Sequence, residues 1–136
     1  GCSQRGNGTS CFFLILNMKE DIQNAEDINR LVKDFYAEVM KSETLRPFFN
    51  RLNWEAHLPK MKKFWRFILL DEAGYTENVT NKHLHMHLTK ALFNEWVLLF
   101  HRTVDQHFEG PRAELAKTRA SLIGIGIQSK MNLLNQ

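Results

Sequence analysis

Apolar side chains recur at helical intervals along most of this chain, and no segment alternates as a strand would. Ile28, Leu31, Val32, Phe35, Tyr36, Val39 and Met40 follow the spacing of one buried helix face. Asn24, with Asp27 three residues on, supplies a start for that helix, and Ser42-Glu43-Thr44 before Pro47 ends it. Residues 45–49 form a short connector with Phe48 and Phe49 adjacent, so at least one ring is expected to be buried. Trp54, Leu58, Met61, Trp65, Ile68 and Leu69 mark a second helix. Pro59 sits early in it, which predicts a separate turn over 54–58 feeding a helix that starts near Pro59. Residues 71–82 are polar, contain Gly74 and predict a long loop. Thr89 is a fair N-cap for a third long helix carrying Leu92, Phe93, Trp96, Val97, Phe100, Val104 and Phe108. Gly110-Pro111 breaks the chain and places Pro111 at the start of a last helix, with Leu115, Arg119, Leu122, Ile123 and Met131. Gly124 and Gly126 weaken that helix by about 1 kcal/mol each relative to Ala. The pattern predicts an all-α architecture of about four main helices and one polar loop.

Length, charge and cysteine content narrow the class. A chain of 136 residues forms one domain with a single core. Net charge is +3, too weak a bias to argue for nucleic acid. Cys2 and Cys11 both precede the helical region, so no disulfide framework crosses the core, and neither CxxCH nor CxxC occurs. Residues 1–17 differ from the remainder and carry the apolar run Cys11-Phe12-Phe13-Leu14-Ile15-Leu16, far too short to span a membrane. They read as an N-terminal extension, disordered or a non-native start, ahead of a single domain over 18–136 that opens at Met18. That start reads as cytoplasmic. No phosphate loop, GxSxG, HExxH or carboxylate pair is present, so no catalytic residues are assigned.

The remaining chemistry is carried by histidine and aromatic side chains. His57, Met61 and Trp65 follow one another in steps of four on one helical stripe. Tyr36 lies beside Phe35 on the apolar face of the first helix, and Trp96 lies between Phe93 and Phe100. Taken singly, each reads as core, with the Tyr36 hydroxyl and the Trp96 indole N–H needing a partner. Taken together with His83, they offer an imidazole for one side of a flat apolar ligand and hydrogen-bond donors for the other, as a haem pocket requires. His83, His85 and His87 form HLHMHL, which in an extended strand also fits a Zn²⁺ or Ni²⁺ site.

The ordered set resembles a known family. FY, then PFF, then W-x-x-HL-x-x-M-x-x-FW, a loop with GY, KHLHMHL, and F-x-x-W-x-x-LF-x-x-TVD-x-x-F-x-GP look like the truncated haemoglobins, specifically their third group, over about residues 22–130. The resemblance implies a globin-like two-over-two helical sandwich around a b-type haem. His83, 13 residues before Trp96, matches the proximal iron ligand, with His85 as a rival. Tyr36, His57 and Trp96 match the distal ligand-binding residues, and His57 matches a residue that can gate the pocket. Phe35, Phe48, Phe49, Met61, Trp65 and Phe93 match the haem pocket.

The function so implied is reversible binding of O₂, and of NO or CO, with slow release. NO dioxygenation or peroxide reduction would require an external reductase, because the chain has no flavin or nicotinamide motif. The expected state is a monomer or weak dimer, with no nucleic-acid or membrane partner. Two alternatives stay open: a haem-free sensor or interaction domain of globin fold, and a metal-binding helical bundle using HLHMHL.

Overall fold

The computed structural model describes residues 19–73 and 89–130, and these are helical with no strand among them. Helix α1 spans Ala25–Lys41, α2 Arg46–Phe49, α3 Trp54–Leu70, α4 Lys90–His107 and α5 Pro111–Lys130. Residues 1–18, most of the polar loop with HLHMHL, and Met131 lie outside the described residues.

Local chemistry sets the helix ends where the sequence predicts them. The Asn24 side chain accepts from the Asp27 backbone N–H at 2.9 Å and closes the first turn of α1. Thr89 Oγ1 accepts from the Leu92 N–H at 3.3 Å at the start of α4. The first turn of α5 is capped from far away: Asp21 accepts from the N–H groups of Arg112 and Ala113 at 2.9 and 2.8 Å. Gly110 makes that clasp possible. It adopts φ +144, and a Cβ there would lie 2.6 Å from the Asp21 side chain.

Two expectations need correction. Pro59 does not divide the second helical segment, since α3 runs unbroken through it. The Ala56 and His57 N–H groups bond the Asn53 carbonyl at 3.1 and 2.9 Å, so the turn ahead of the proline is already held. Pro59 and Glu55 lie on the exposed side, where the Glu55 carbonyl that Pro59 cannot serve can reach water. The inward stripe Trp54, His57, Leu58, Met61 and Trp65 stays in register across the proline.

The second correction concerns α5. Its buried face is Ala113, Ala116, Ala120, Gly124 and Ile127, together with Gln128, whereas Leu115 and Leu122 are exposed. Small residues let α4 and α5 approach closely. A Cβ on Gly124 would already sit 3.3 Å from Val97 Cγ2.

The helices pack as two contacting pairs, α1 with α3 and α4 with α5. Helix α1 contacts α2, α3 and α4, while α5 contacts α4 and α3. Phe35, Phe100, Ile28, Leu31, Val32, Val39 and Val104 are fully buried in the core between them. Thr103 is buried among them and donates its hydroxyl to the Leu99 carbonyl at 2.8 Å, which removes the cost of an unpaired hydroxyl. No described helix is long and apolar enough to cross a membrane.

Candidate functional site

Aromatic side chains from α1, α2, α3 and α4 converge at one end of this core. Tyr36 is the hub. Its ring lies 5.8 Å from Phe49, 5.4 Å from Trp54 and 5.1 Å from His57, all centroid to centroid. Helix α3 brings Trp54 and His57 to it together, because residues three apart share a helix face. The two rings are 5.5 Å apart and nearly perpendicular. Helix α2 adds Phe49, which stacks on Trp54 at 6.3 Å. His57 is half-buried, but its Nε2 atom is shielded from solvent, so the imidazole points inward.

A second aromatic group continues from the first through Phe35. Its ring is 4.9 Å from Tyr36 and stands edge-on to Trp96 at 5.7 Å and Phe100 at 5.1 Å. Trp65, Phe100 and Trp96 form a parallel stack, with spacings of 4.6 and 6.0 Å. Edge-to-face and offset contacts at these distances favour a rigid arrangement. Tyr36 and Trp96 therefore flank Phe35 on adjacent helices, and Trp96 stays half-buried at the margin of the stack.

Of the residues predicted from sequence, Tyr36, His57, Phe35 and Phe49 come together directly. Trp96 and Trp65 join through Phe35 and Phe100. Phe48 and Met61 pack against the core as half-buried neighbours. Phe93 is buried on α4. His83, with its rivals His85 and His87, lies outside the described residues. Sequence reading missed Trp54 and Phe100 as members of the site. The three-residue step from Trp54 to His57, and the four-residue step from Trp96 to Phe100, were the available signals.

The donor set fits a planar apolar ligand with one polar centre. Tyr36, His57 and Trp96 are the polar tips in an otherwise aromatic surround, and none carries a fixed charge. Among the described residues, Phe93 and Ile127 are buried without joining the continuous core cluster. Phe93 lies one helical turn before Val97 on α4, and Val97 faces Gly124 of α5. On the same side Gln128 is buried, with its Oε1 atom lacking a hydrogen-bond partner among the described residues. A buried carbonyl of this kind marks a place where a polar group of a ligand or water can be met. No group of three or more His, Cys, Asp or Glu that could hold a bare metal ion occurs among the described residues.

Comparison with known proteins gives two matches and one negative result. The group 3 truncated haemoglobin ctb of Campylobacter jejuni is 28% identical over 121 residues, covering 84% of this chain and 95% of the relative. The crystal structure of a group III truncated haemoglobin from Campylobacter jejuni superposes with a TM-score of 0.76 at 28% identity, over 84% of this chain and 95% of that one. No family model matches the chain. The architecture is thus that of a truncated globin, and in sequence and in structure alike the chain is similar to the truncated haemoglobins of the third group.

Proposed function

We propose that this chain is a b-type haem protein that binds O₂ reversibly and releases it slowly, and that also takes NO and CO. The observation that supports this best is the contact of Tyr36 with His57 at 5.1 Å inside an aromatic surround, on a fold similar to a group III truncated haemoglobin. When bound, haem iron supplies an open coordination position for a diatomic ligand. His83 is the residue that would hold the iron, through a neutral imidazole nitrogen. Tyr36 and Trp96 donate an O–H and an N–H to the electron-rich ligand, and His57 screens it from solvent. Phe35, Phe48, Phe49, Met61, Trp65 and Phe93 exclude water, which strengthens both donors.

Use in NO or peroxide chemistry requires electrons from a separate reductase. The protein acts in the cytoplasm as a monomer or weak dimer in this reading. The test is an absorption spectrum of the full chain supplied with haem, before and after dithionite and CO. A Soret band that shifts with CO supports an exchangeable iron position. Folded helical protein with no Soret band would instead leave a haem-free domain of globin fold.

A further inference from the structure

Helices α4 and α5 run antiparallel, and their contacts fix the register. His101 Nε2 meets the Lys117 carbonyl at 2.9 Å and the Ser121 hydroxyl at 3.0 Å. One turn earlier on α4, Val97 faces Gly124. The next turn brings Phe93 opposite Ile127 and Gln128. Phe93 stands three residues before Trp96, so it continues the α4 face that carries the aromatic stack. Phe93 and Ile127 are both buried, yet neither joins the continuous core around Phe35.

Gln128 is out of keeping with this neighbourhood. It is 5% exposed, on a helix face otherwise made of Ala113, Ala116, Ala120, Gly124 and Ile127. Its amide nitrogen lies 4.0 Å from where a Gly124 Cβ would stand, so the side chain turns back along α5 over the glycine. Its amide oxygen is buried with no hydrogen-bond partner among the described residues. Thr103, the other buried polar side chain among them, satisfies its hydroxyl within its own helix. Packing alone does not call for an amide here. Methionine has nearly the same length and would fill the place with no strong polar atom to satisfy. An acceptor kept under cover points to a donor that it serves.

Haem brings such a donor. A neutral imidazole that binds iron through one ring nitrogen carries an N–H on the other, and an acceptor for that N–H raises the basicity of the ligand. Water enclosed beside a polar atom in a site is the other donor of this kind. We infer that Gln128 belongs to the haem site, its amide oxygen accepting a hydrogen bond from a donor that comes with the bound haem, the N–H of the iron-bound imidazole or a water held beside it. The inference rests on the haem reading proposed above. Gln128 acts through that donor and is a positioning residue.

Two variants of the full, haem-loaded chain test it. Gln128→Met keeps the length of the side chain and removes the acceptor, whereas Gln128→Glu keeps an acceptor. Gln128→Met should speed haem loss to excess apomyoglobin by about 10–100-fold. The haem-free form of that variant should unfold at a temperature no lower than the parent, because an unpaired buried oxygen has gone. Gln128→Glu should lose haem more slowly than Gln128→Met.

The iron–imidazole stretching band in the resonance Raman spectrum of the reduced protein identifies the donor. A lower frequency in Gln128→Met, absent from Gln128→Glu, assigns the imidazole N–H. An unmoved band, with faster haem loss and an undiminished unfolding temperature, assigns the water. Haem loss and band both at parent values in Gln128→Met would overturn the inference. Faster haem loss with an unmoved band and a lower unfolding temperature would overturn it too, since Gln128 would then serve packing alone. A parent chain with no Soret band would refute the haem reading and this inference with it, a failure visible before any variant is made.

Discussion

Replacing Tyr36 with Phe removes one oxygen atom and leaves a ring of nearly the same shape. The contacts of that ring with Phe35, Phe49, Trp54 and His57, at 4.9 to 5.8 Å, are all made by carbon and survive the change. Tyr36 is 6% exposed, so the hydroxyl acts in a nearly dry environment where a donor is worth more than in water. A hydrogen bond to a neutral acceptor contributes about 0.5–1.5 kcal/mol, and one to a charged acceptor about 1.5–3 kcal/mol. A diatomic ligand with partial negative charge falls between, at about 1–2 kcal/mol, which corresponds to a factor of about 5–30. Since the bond exists only when ligand is bound, the loss should fall on dissociation. Tyr36→Phe should therefore raise the O₂ off-rate of the haem-loaded protein by about that factor. Stopped-flow displacement of O₂ by excess CO measures it directly, and thermal unfolding of the same variant checks that packing is intact. An off-rate equal to that of the unmodified protein would remove Tyr36 from ligand stabilisation and leave it as a packing residue.

Other consequences follow from the helix interfaces and charges. Gly124→Val should destabilise by about 1–3 kcal/mol in denaturant unfolding, because its side chain meets Val97 across the α4–α5 contact. Gly126→Ala has nothing within 4 Å of the added Cβ and should stabilise by up to about 1 kcal/mol in the same assay. Asn24→Ala should cost about 1 kcal/mol, since the Asp27 N–H loses its acceptor, and native-state hydrogen exchange should rise first in the opening turn of α1. The Lys117 ammonium lies between Asp105 and Glu114, and hydrogen bonds to these carboxylates raise its pKa above the ordinary lysine value of 10.5. A raised folded-state pKa contributes stability below 10.5 that is lost as pH climbs through the folded value. The unfolding midpoint of the parent should thus fall more steeply above that pH than the midpoint of Lys117→Met, and parallel profiles would remove the contribution.

The helix starts were legible because a cap is a local event. Asn24, Thr89 and Pro111 each act within a few residues of themselves, and the structure uses all three where the sequence places them. The aromatic members of α1 and α3 were legible for a similar reason: the helix period alone puts Tyr36 and His57 on inward faces. The face of α5 was not. Sequence reading favours large apolar residues, yet the α4–α5 contact is governed by how near two backbones come, and that selects Ala113, Ala116, Ala120 and Gly124. Leucines at 115 and 122 consequently face outward. Pro59 misled in the opposite sense. Its cost is local, whereas the reward for keeping Trp54 and His57 in register with Trp65 is spread over the tertiary contacts of α3. The partnership of Trp54 with Tyr36 follows from that same continuity, which explains why it went unseen.

The Asp21 clasp on α5 has a temporal consequence. Asp21 and the backbone groups it serves are separated by 91 and 92 residues. At ribosomal rates of about 5–20 residues per second, the cap waits about 5–18 s for its helix. Throughout that interval α1 and α3 can pair, but Asp21 has yet to meet the backbone groups it caps. The first turn of α5 then arrives and is joined to Asp21 in one step. A nascent chain halted before Ala113 would leave the Asp21 carboxylate uncommitted, and a chain released past it would fix Asp21 against the start of α5.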